Sequence, residues 1–373
     1  MEKHKYKYMF VLLVVSVATL FLVSGSALMY EGPSAELIEH AQAEGVVVVY
    51  SATSRIAAAA EAFQAKYNIR VEYSQLGDGE MIAKVTRENI ADVAGADFVL
   101  AQDGGRVFGE LIQPGYLENY IPDSLADIIP DTYQTPMVFQ FCNKLFVYNS
   151  ENAEESPITN VWALTDPEWQ GRLHLKDPFQ EGVNANFFTM VTSPSLAAEL
   201  EKAYKNHYGV EIELTTPNAG YEWIKGIFAN GVVLGTSDTR ISEAVGAKGQ
   251  SEQLIGLFTF NKVGPGNQDK NLALAPAMDL EPFSGFYYPM YALINSKAAN
   301  PNAAKLFIEF LLTDEGFGPW IHTTGDYSPN PTVPIPDGDY PLSFWDEILV
   351  REDPEWTFQN RAEVEDFLNS YMY

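Results

Sequence analysis

From Gly45 onward, short runs rich in Val and Ile alternate with segments of helical period, and this alternation is the pattern of α/β layers built on largely parallel sheets. Val46–Ser51, 69–74 and 97–101 read as strands, with Ile56–Tyr67, 81–89 and Val107–Ile112 as the helices between them. Past Tyr116 the chain turns irregular and carries Pro122, Pro130 and Pro136; residues 137–149 then read as one long extended stretch, as expected of a strand leaving one lobe for another. A second α/β set follows, with strands at 172–175 and 232–236 and helices near 184–191, 196–207 and 221–230. Residues 286–295 are again extended and apolar, and 302–312 are helical. The tail from Asp326, rich in Pro, Asp and Trp, reads as a loop with a closing helix at 362–371.

A chain of 373 residues, 46% hydrophobic and 20% charged, is long enough for two domains with their own cores. With 23 Lys and Arg against 50 Asp and Glu, the net charge of −27 would repel a nucleic-acid backbone or an anionic membrane surface. Nucleic acid is therefore not an expected partner. The single cysteine, Cys142, cannot form an intramolecular disulfide or supply a multi-thiolate metal site, and its apolar strand suits a small buried thiol. There is no GxSxG elbow, Walker loop or GxGxxG, so neither an enzyme nor a bound cofactor is expected.

Residues 1–27 read as a secretory signal: Lys3, Lys5 and Lys7 lead an apolar stretch from Met9 to Val23, and Ser24-Gly25-Ser26-Ala27 supplies small residues for cleavage. The stretch is short for a membrane span, which needs about 20 residues, although an uncleaved anchor is the alternative. Cleavage removes those three lysines and Glu2, which takes the charge from −27 to −29. No cysteine follows the apolar stretch to carry a lipid, which favours a periplasmic location.

Two segments carry a family resemblance. Leu145-Phe146-Val147-Tyr148-Asn149, Trp162-Ala163-Leu164, Asp166-Pro167-Glu168-Trp169-Gln170-Gly171-Arg172-Leu173 and Asp177-Pro178 resemble a run found in extracellular solute-binding proteins of ABC importers. Phe286-Tyr287-Tyr288-Pro289-Met290-Tyr291-Ala292-Leu293-Ile294-Asn295 and the helix from Asn300 to Gly316 are similar to that family's return strand and following helix. The iron(III), polyamine and phosphorylated-solute branches of the type 2 periplasmic-binding fold are the most similar. The resemblance spans roughly 45 to 330 and implies an α/β, two-lobe periplasmic-binding-protein-like (type 2) fold with a central cleft and hinge strands. It also implies closure on a small-molecule solute and docking on an ABC permease in the inner membrane. On this reading the protein is a monomer in which residues 28–138 and 283–325 form the first lobe and 139–282 with 326–373 the second.

The arginines narrow the solute. Three of only eight follow a strand and a loop of small or polar residues: Ser51-Ala52-Thr53-Ser54-Arg55, Gln102-Asp103-Gly104-Gly105-Arg106 and Thr236-Ser237-Asp238-Thr239-Arg240. In open α/β sheets, ligands sit off the carboxyl ends of strands, where helix N-termini present free N–H groups. Hydroxyls of Ser51, Thr53, Ser54 and Ser237 and the planar forks of Arg55, Arg106 and Arg240 there suit phosphate or carboxylate. Arg55 and Arg240, one per lobe, would grip one anion from opposite sides. Asp103 and Asp238 would orient the arginines or accept from ligand hydroxyls, and an anion site requires them to be paired. Asp177 and Asn184, in the Asp177–Asn186 loop, are added by the family's contacts at that helix start, and Tyr288 as cleft wall. The alternative for any one loop is an ordinary N-cap followed by a solvated arginine.

Other ligands remain open. The ferric relatives' adjacent tyrosines and loop histidine are replaced here by Thr236-Ser237-Asp238 and Ala52-Thr53-Ser54. Tyr287-Tyr288 lies in a strand, whose successive side chains point to opposite faces, so no metal site is expected. A polyamine suits the acidity, with Tyr50, Trp162, Tyr221 or Tyr288 to stack on an amine. A secreted interaction domain without a small ligand is the reading from a different class.

Overall fold

The computed structural model describes residues 30–264 and 270–372. The expected signal at 1–27 lies outside them. Ser34 accepts from the Leu37 N–H to cap α1 (Ala35–Glu44), and Gly45 ends that helix in the left-handed conformation. The first lobe then builds β1 (Val46–Ser51), α2 (Ile56–Tyr67), β2 (Arg70–Gln75), α3 (Asp78–Ile90) and β3 (Phe98–Ala101). A short turn of helix, α4 (Gly104–Arg106), runs into a wider π-type turn at Val107–Ile112, and β4 (Leu117–Glu118) precedes the crossover.

The long extended stretches expected on either side of the second lobe are β5 (Val138–Asn149) and, later, β10 (Gly285–Asn295). Between them come β6 (Leu173–Lys176), α5 (Gly182–Val191), α6 (Pro194–Tyr208), α7 (Ala219–Ala229), β7 (Val233–Gly235), α8 (Asp238–Gly246), β8 (Ile255–Thr259) and β9 (Leu274–Pro276). After β10 follow α9 (Pro301–Leu311), α10 (Asp314–Phe317), β11 (Asp326–Tyr327), α11 (Leu342–Ile348), β12 (Val350–Arg351) and α12 (Pro354–Met372).

Hydrogen bonding runs unbroken in the order β2-β1-β3-β10-β5-β8-β6-β7. The outer strands of each half are parallel, whereas β10 and β5 are antiparallel to each other and to their neighbours β3 and β8. The two crossing strands belong to both lobes, which is why one ladder serves two cores. One apolar cluster gathers Val47, Phe63, Phe98, Phe307 and Trp320; the other gathers Trp162, Phe187, Trp223, Leu257 and Phe286.

The tail does not go whole to the second lobe as expected. Tyr327, Val333, Trp345 and Leu349 join the first cluster, because β11 pairs with the Phe141–Cys142 segment of β5. Val350, Val364 and Leu368 join the second. The closing helix starts well before 362, because Asp353 caps it by accepting from the Trp356 N–H at 3.0 Å and Pro354 fits a helix start. Among the described residues, no helix is long and apolar enough to cross a membrane.

Candidate functional site

A cavity of about 310 Å³ opens at the carboxyl ends of β1, β2, β3 and β8. Thr53, Ser54 and Arg55 enter it from the loop after β1, Gln75 from the end of β2, Gln102 from just past β3, and Thr259 and Asn261 from the end of β8. Gln140, Cys142 and Asn143 of β5 and Tyr288 and Met290 of β10 also line it, and Trp320, Gly325 and Asp326 complete the wall. Open α/β sheets bind ligands in this place.

Local hydrogen bonds shape the first-lobe loop. The buried Ser51 Oγ accepts from the Thr53 N–H at 3.2 Å and donates to the Thr53 carbonyl at 3.1 Å, while Thr53 Oγ1 accepts from the Arg55 N–H at 3.3 Å. This turn delivers Arg55 to the head of α2, a twelve-residue helix whose first turn has no side-chain cap. The Arg55 guanidinium pairs with Asp326, which also accepts from Gln140 Nε2 at 2.7 Å and from the Cys142 thiol at 3.3 Å. Burial pushes the Asp326 carboxyl up from its ordinary range, and Arg55 offsets this only in part. Burial, together with Asp326, also pushes the Cys142 thiol up, so it stands protonated. Gln140 Oε1 and both amide atoms of Asn143 are buried and have no hydrogen-bond partner among the described residues.

The second-lobe side holds its own cation. Lys144, next along β5, is fully buried. Its ammonium meets Glu181, Asn184 Oδ1 at 3.1 Å and Asp238 at 3.4 Å. Lys176 reaches Glu181 at 2.7 Å. Burial acts to raise Glu181, but Lys144 and Lys176 outweigh it and hold the carboxyl below its usual range. Burial alone would lower Lys144; Asp238 and Glu181 reverse that and raise it.

Of the residues expected from sequence, Thr53, Ser54, Arg55 and Tyr288 line the cavity and Ser51 supports the loop beneath. Asn184 and Asp238 instead surround Lys144, and Ser237 caps α8 by accepting from the Arg240 N–H at 3.2 Å. Asp177 closes its own turn, accepting from the Phe179 N–H and Gln180 Nε2, each at 2.9 Å.

The symmetrical grip is not what the structure builds. Arg240 is exposed in the first turn of α8, whose inward positions are Ile241 and Ser242, and it does not line the cavity. Arg106 pairs with Glu110 at 2.7 Å along its own helix and does not line it either. Both aspartates are paired, but not with the expected arginines: Asp238 faces Lys144, and the buried Asp103 accepts from Arg361 at 2.7 Å and from Asn186 at 3.0 Å. Asp103 is a contact between lobes, so close to α5 that a Cβ on Gly182 would lie 2.0 Å from its carboxylate. Sequence reasoning missed Lys144, Gln140 and Asn143, although polar residues within an apolar extended run were a visible signal. Nothing local marked Asp326.

The two phenols of Tyr287 and Tyr288 part as strand geometry requires: Tyr287 bonds to Asp346 of α11, and Tyr288 lines the cavity. Among the described residues, no three His, Cys, Asp or Glu side chains are grouped to hold a metal ion.

A family model described as "Bacterial extracellular solute-binding protein" matches residues 58–341. The chain is similar to the iron-bound HitA from Pseudomonas aeruginosa, at 17% identity and a TM-score of 0.65 over 88% of this chain and 99% of that one. It is also similar to AfuA from Actinobacillus pleuropneumoniae with fructose-6-phosphate bound, at 21% identity and 0.60 over 88% and 97%. The apo ferric ion-binding protein A of Pasteurella haemolytica aligns at 16% identity and 0.66 over 88% and 98%. No curated protein sequence matches.

Proposed function

Because this chain belongs to the bacterial extracellular solute-binding proteins, we propose that its cavity captures a small anionic solute, a phosphorylated or phosphonate metabolite, for delivery to an ABC permease. The protein binds rather than catalyses, and the family implies the importer as partner. The observation that carries the anion is the loop ahead of α2: the hydroxyls of Thr53 and Ser54 and the guanidinium of Arg55 all line one cavity at the head of that helix. The helix dipole and a guanidinium each favour negative charge, and hydrogen bonds to charged groups contribute about 1.5–3 kcal/mol each. The amide-rich walls then face the remainder of the solute.

A polyamine needs carboxylates facing the cavity. Asp326 is the one carboxylate that lines it among the described residues, and Arg55 occupies it. Iron needs convergent oxygen ligands, and the adjacent tyrosines diverge. Of the neighbours, AfuA with its bound fructose-6-phosphate is the more suggestive.

The receptor works as a monomer in the periplasm and closes about β5 and β10, so contacts made only in the closed state set the population shift. A thermal-shift panel of sugar phosphates, phosphonates, dicarboxylates, polyamines and ferric salts tests the ligand class, since a tight binder raises the melting point by mass action. A hit among phosphorylated or phosphonate compounds, lost in Arg55→Ala, supports the reading. Preference for putrescine over every anion overturns it.

A further inference from the structure

Outside the cavity, the two lobes meet at a buried junction that the tail completes. Asp103 and the Gly105 N–H stand just past β3 on the first-lobe side, while Gly182 and Asn186 of α5 face them from the second. The tail adds Glu352, next after β12, and Arg361 of α12. Glu352 Oε1 accepts from the Gly105 N–H at 3.2 Å and from Asn186 Nδ2 at 2.7 Å, so a single carboxyl oxygen joins the lobes. Asn186 Nδ2 also donates to Asp103 Oδ1 at 3.0 Å, and one amide nitrogen thus holds two carboxyl groups side by side.

The junction has more acid than base. Arg361 pairs with Asp103 at 2.7 Å and with Glu365 at 2.6 Å, whereas Glu352 has no ion pair among the described residues and its buried Oε2 has no partner there. Its other titratable neighbours supply none. Tyr291 of β10 is kept neutral by burial and then by Glu352 itself, and Tyr287, on the same small void, bonds to Asp346. Arg351 of β12 turns to the Thr132 carbonyl at 2.8 Å, Asp353 caps α12, and Arg106 of α4 pairs with Glu110. From α5 only neutral side chains face it. Two adjacent carboxyls out of water with one cation do not both ionise, and burial, with Asp103 close by, pushes Glu352 up to about 8. Protonated, it leaves one O–H unpaired instead of a charged oxygen, which costs less.

We infer that closing the lobes loads a proton onto Glu352, so that acid favours the closed receptor and solute affinity falls as pH rises. The inference rests on hinging about β5 and β10 and not on the class of solute. Swinging α5 away withdraws Asn186 and Gly182 from Asp103 and Gly105, and water then reaches Glu352 and returns its carboxyl toward the ordinary range. Closure reverses this. The closed form therefore binds the proton more tightly, so its advantage is full below about 4.5 and is lost as pH rises to about 8. Each pH unit in that window changes the closed-to-open ratio by up to about tenfold. A solute that binds the closed form inherits the change.

The test measures the distance between lobes in the unliganded full chain by double electron–electron resonance. Spin labels go on Arg70→Cys of β2 and Lys205→Cys of α6, exposed positions in different lobes, in a Cys142→Ser background. From pH 5.5 to 8.5 the closed-to-open ratio should fall by at least about tenfold. Glu352→Gln, neutral at both values, should stay closed at both. Asp103→Asn removes the neighbouring charge, so its transition should move to lower pH, and it decides the matter if Glu352→Gln does not fold. A ratio that pH leaves unchanged, the same fall in Glu352→Gln, or an unmoved transition in Asp103→Asn would each overturn the inference. None of these outcomes bears on the anion, which the thermal-shift panel tests separately.

Discussion

Arg55 and Asp326, 271 residues apart in the chain, share an ion pair on the cavity wall. The pair neutralises the charge an incoming anion would meet, and it leaves the rest of the guanidinium fork, about one-third exposed, for the solute. Removing either partner therefore has opposite consequences for binding.

Arg55→Ala should weaken an anionic solute by roughly ten- to a hundredfold, the loss of one charge-assisted hydrogen bond or two. Asp326→Asn should instead tighten it by a few-fold, because a carboxylate beside the anion is gone. Ser54→Ala should cost less than Arg55→Ala, since a neutral hydroxyl contributes about 1 kcal/mol. Calorimetric titration of the three variants with one anionic ligand checks the order.

Arg240→Ala should change that affinity less than twofold, an order-of-magnitude contrast with Arg55→Ala. Its side chain is exposed and off the cavity. A drop matching that of Arg55→Ala would show that closure carries Arg240 onto the solute.

Lys144→Met should destabilise the protein by about 3–5 kcal/mol, because it leaves Glu181 and Asp238 without their buried cation. Adding Glu181→Gln should restore part of the loss by removing one stranded charge. Urea unfolding of the single and double variants measures both. The lowered Glu181 carboxyl adds stability that is present above its unfolded value and fades as pH falls through the folded one.

Glu352 supplies the opposite sign. Burial, with Asp103 close by, pushes its carboxyl from 4.5 up to about 8, against the Gly105 N–H, Arg361 and Asn186, which favour the charged form. Between those values the folded state holds a proton the unfolded state has lost, so this group's stability contribution falls as pH rises from about 4.5 to about 8. Glu352→Gln should therefore flatten the pH dependence of unfolding across that window. At pH 8.5 it should be more stable than wild type by up to a few kcal/mol, since each tenfold change in a proton's affinity is worth ~1.4 kcal/mol. Denaturant midpoints at pH 5.5 and 8.5 decide it; a parallel offset at both would contradict the assignment.

The tail that carries Glu352 ties the lobes together. Glu352 accepts from the Gly105 N–H and from Asn186, Arg361 reaches both Asp103 and Asn186, and Phe358 packs over Gly109. Arg361→Ala should cost about 3–5 kcal/mol by stranding the buried Asp103 carboxylate, a loss visible in urea unfolding.

Local chemistry wrote much of this fold into the sequence. A valine run made β1 legible and long extended apolar runs the crossing strands, and the small hydroxyls ahead of Arg55 marked a loop whose Ser51 and Thr53 side-chain hydrogen bonds close on neighbours two residues away. Those features depend on neighbours in the chain, so periodicity and residue type suffice to find them. What only the tertiary structure decided are the pairings at long range. Asp326 reaches Arg55 because β11 adds to β5, Asp103 takes Arg361 rather than Arg106 because α12 spans both lobes, and Arg240 stays exposed because α8 turns Ile241 and Ser242 inward. A charge far along the chain costs nothing to place in sequence, but once buried it must find a partner, and which partner it finds is set by packing alone.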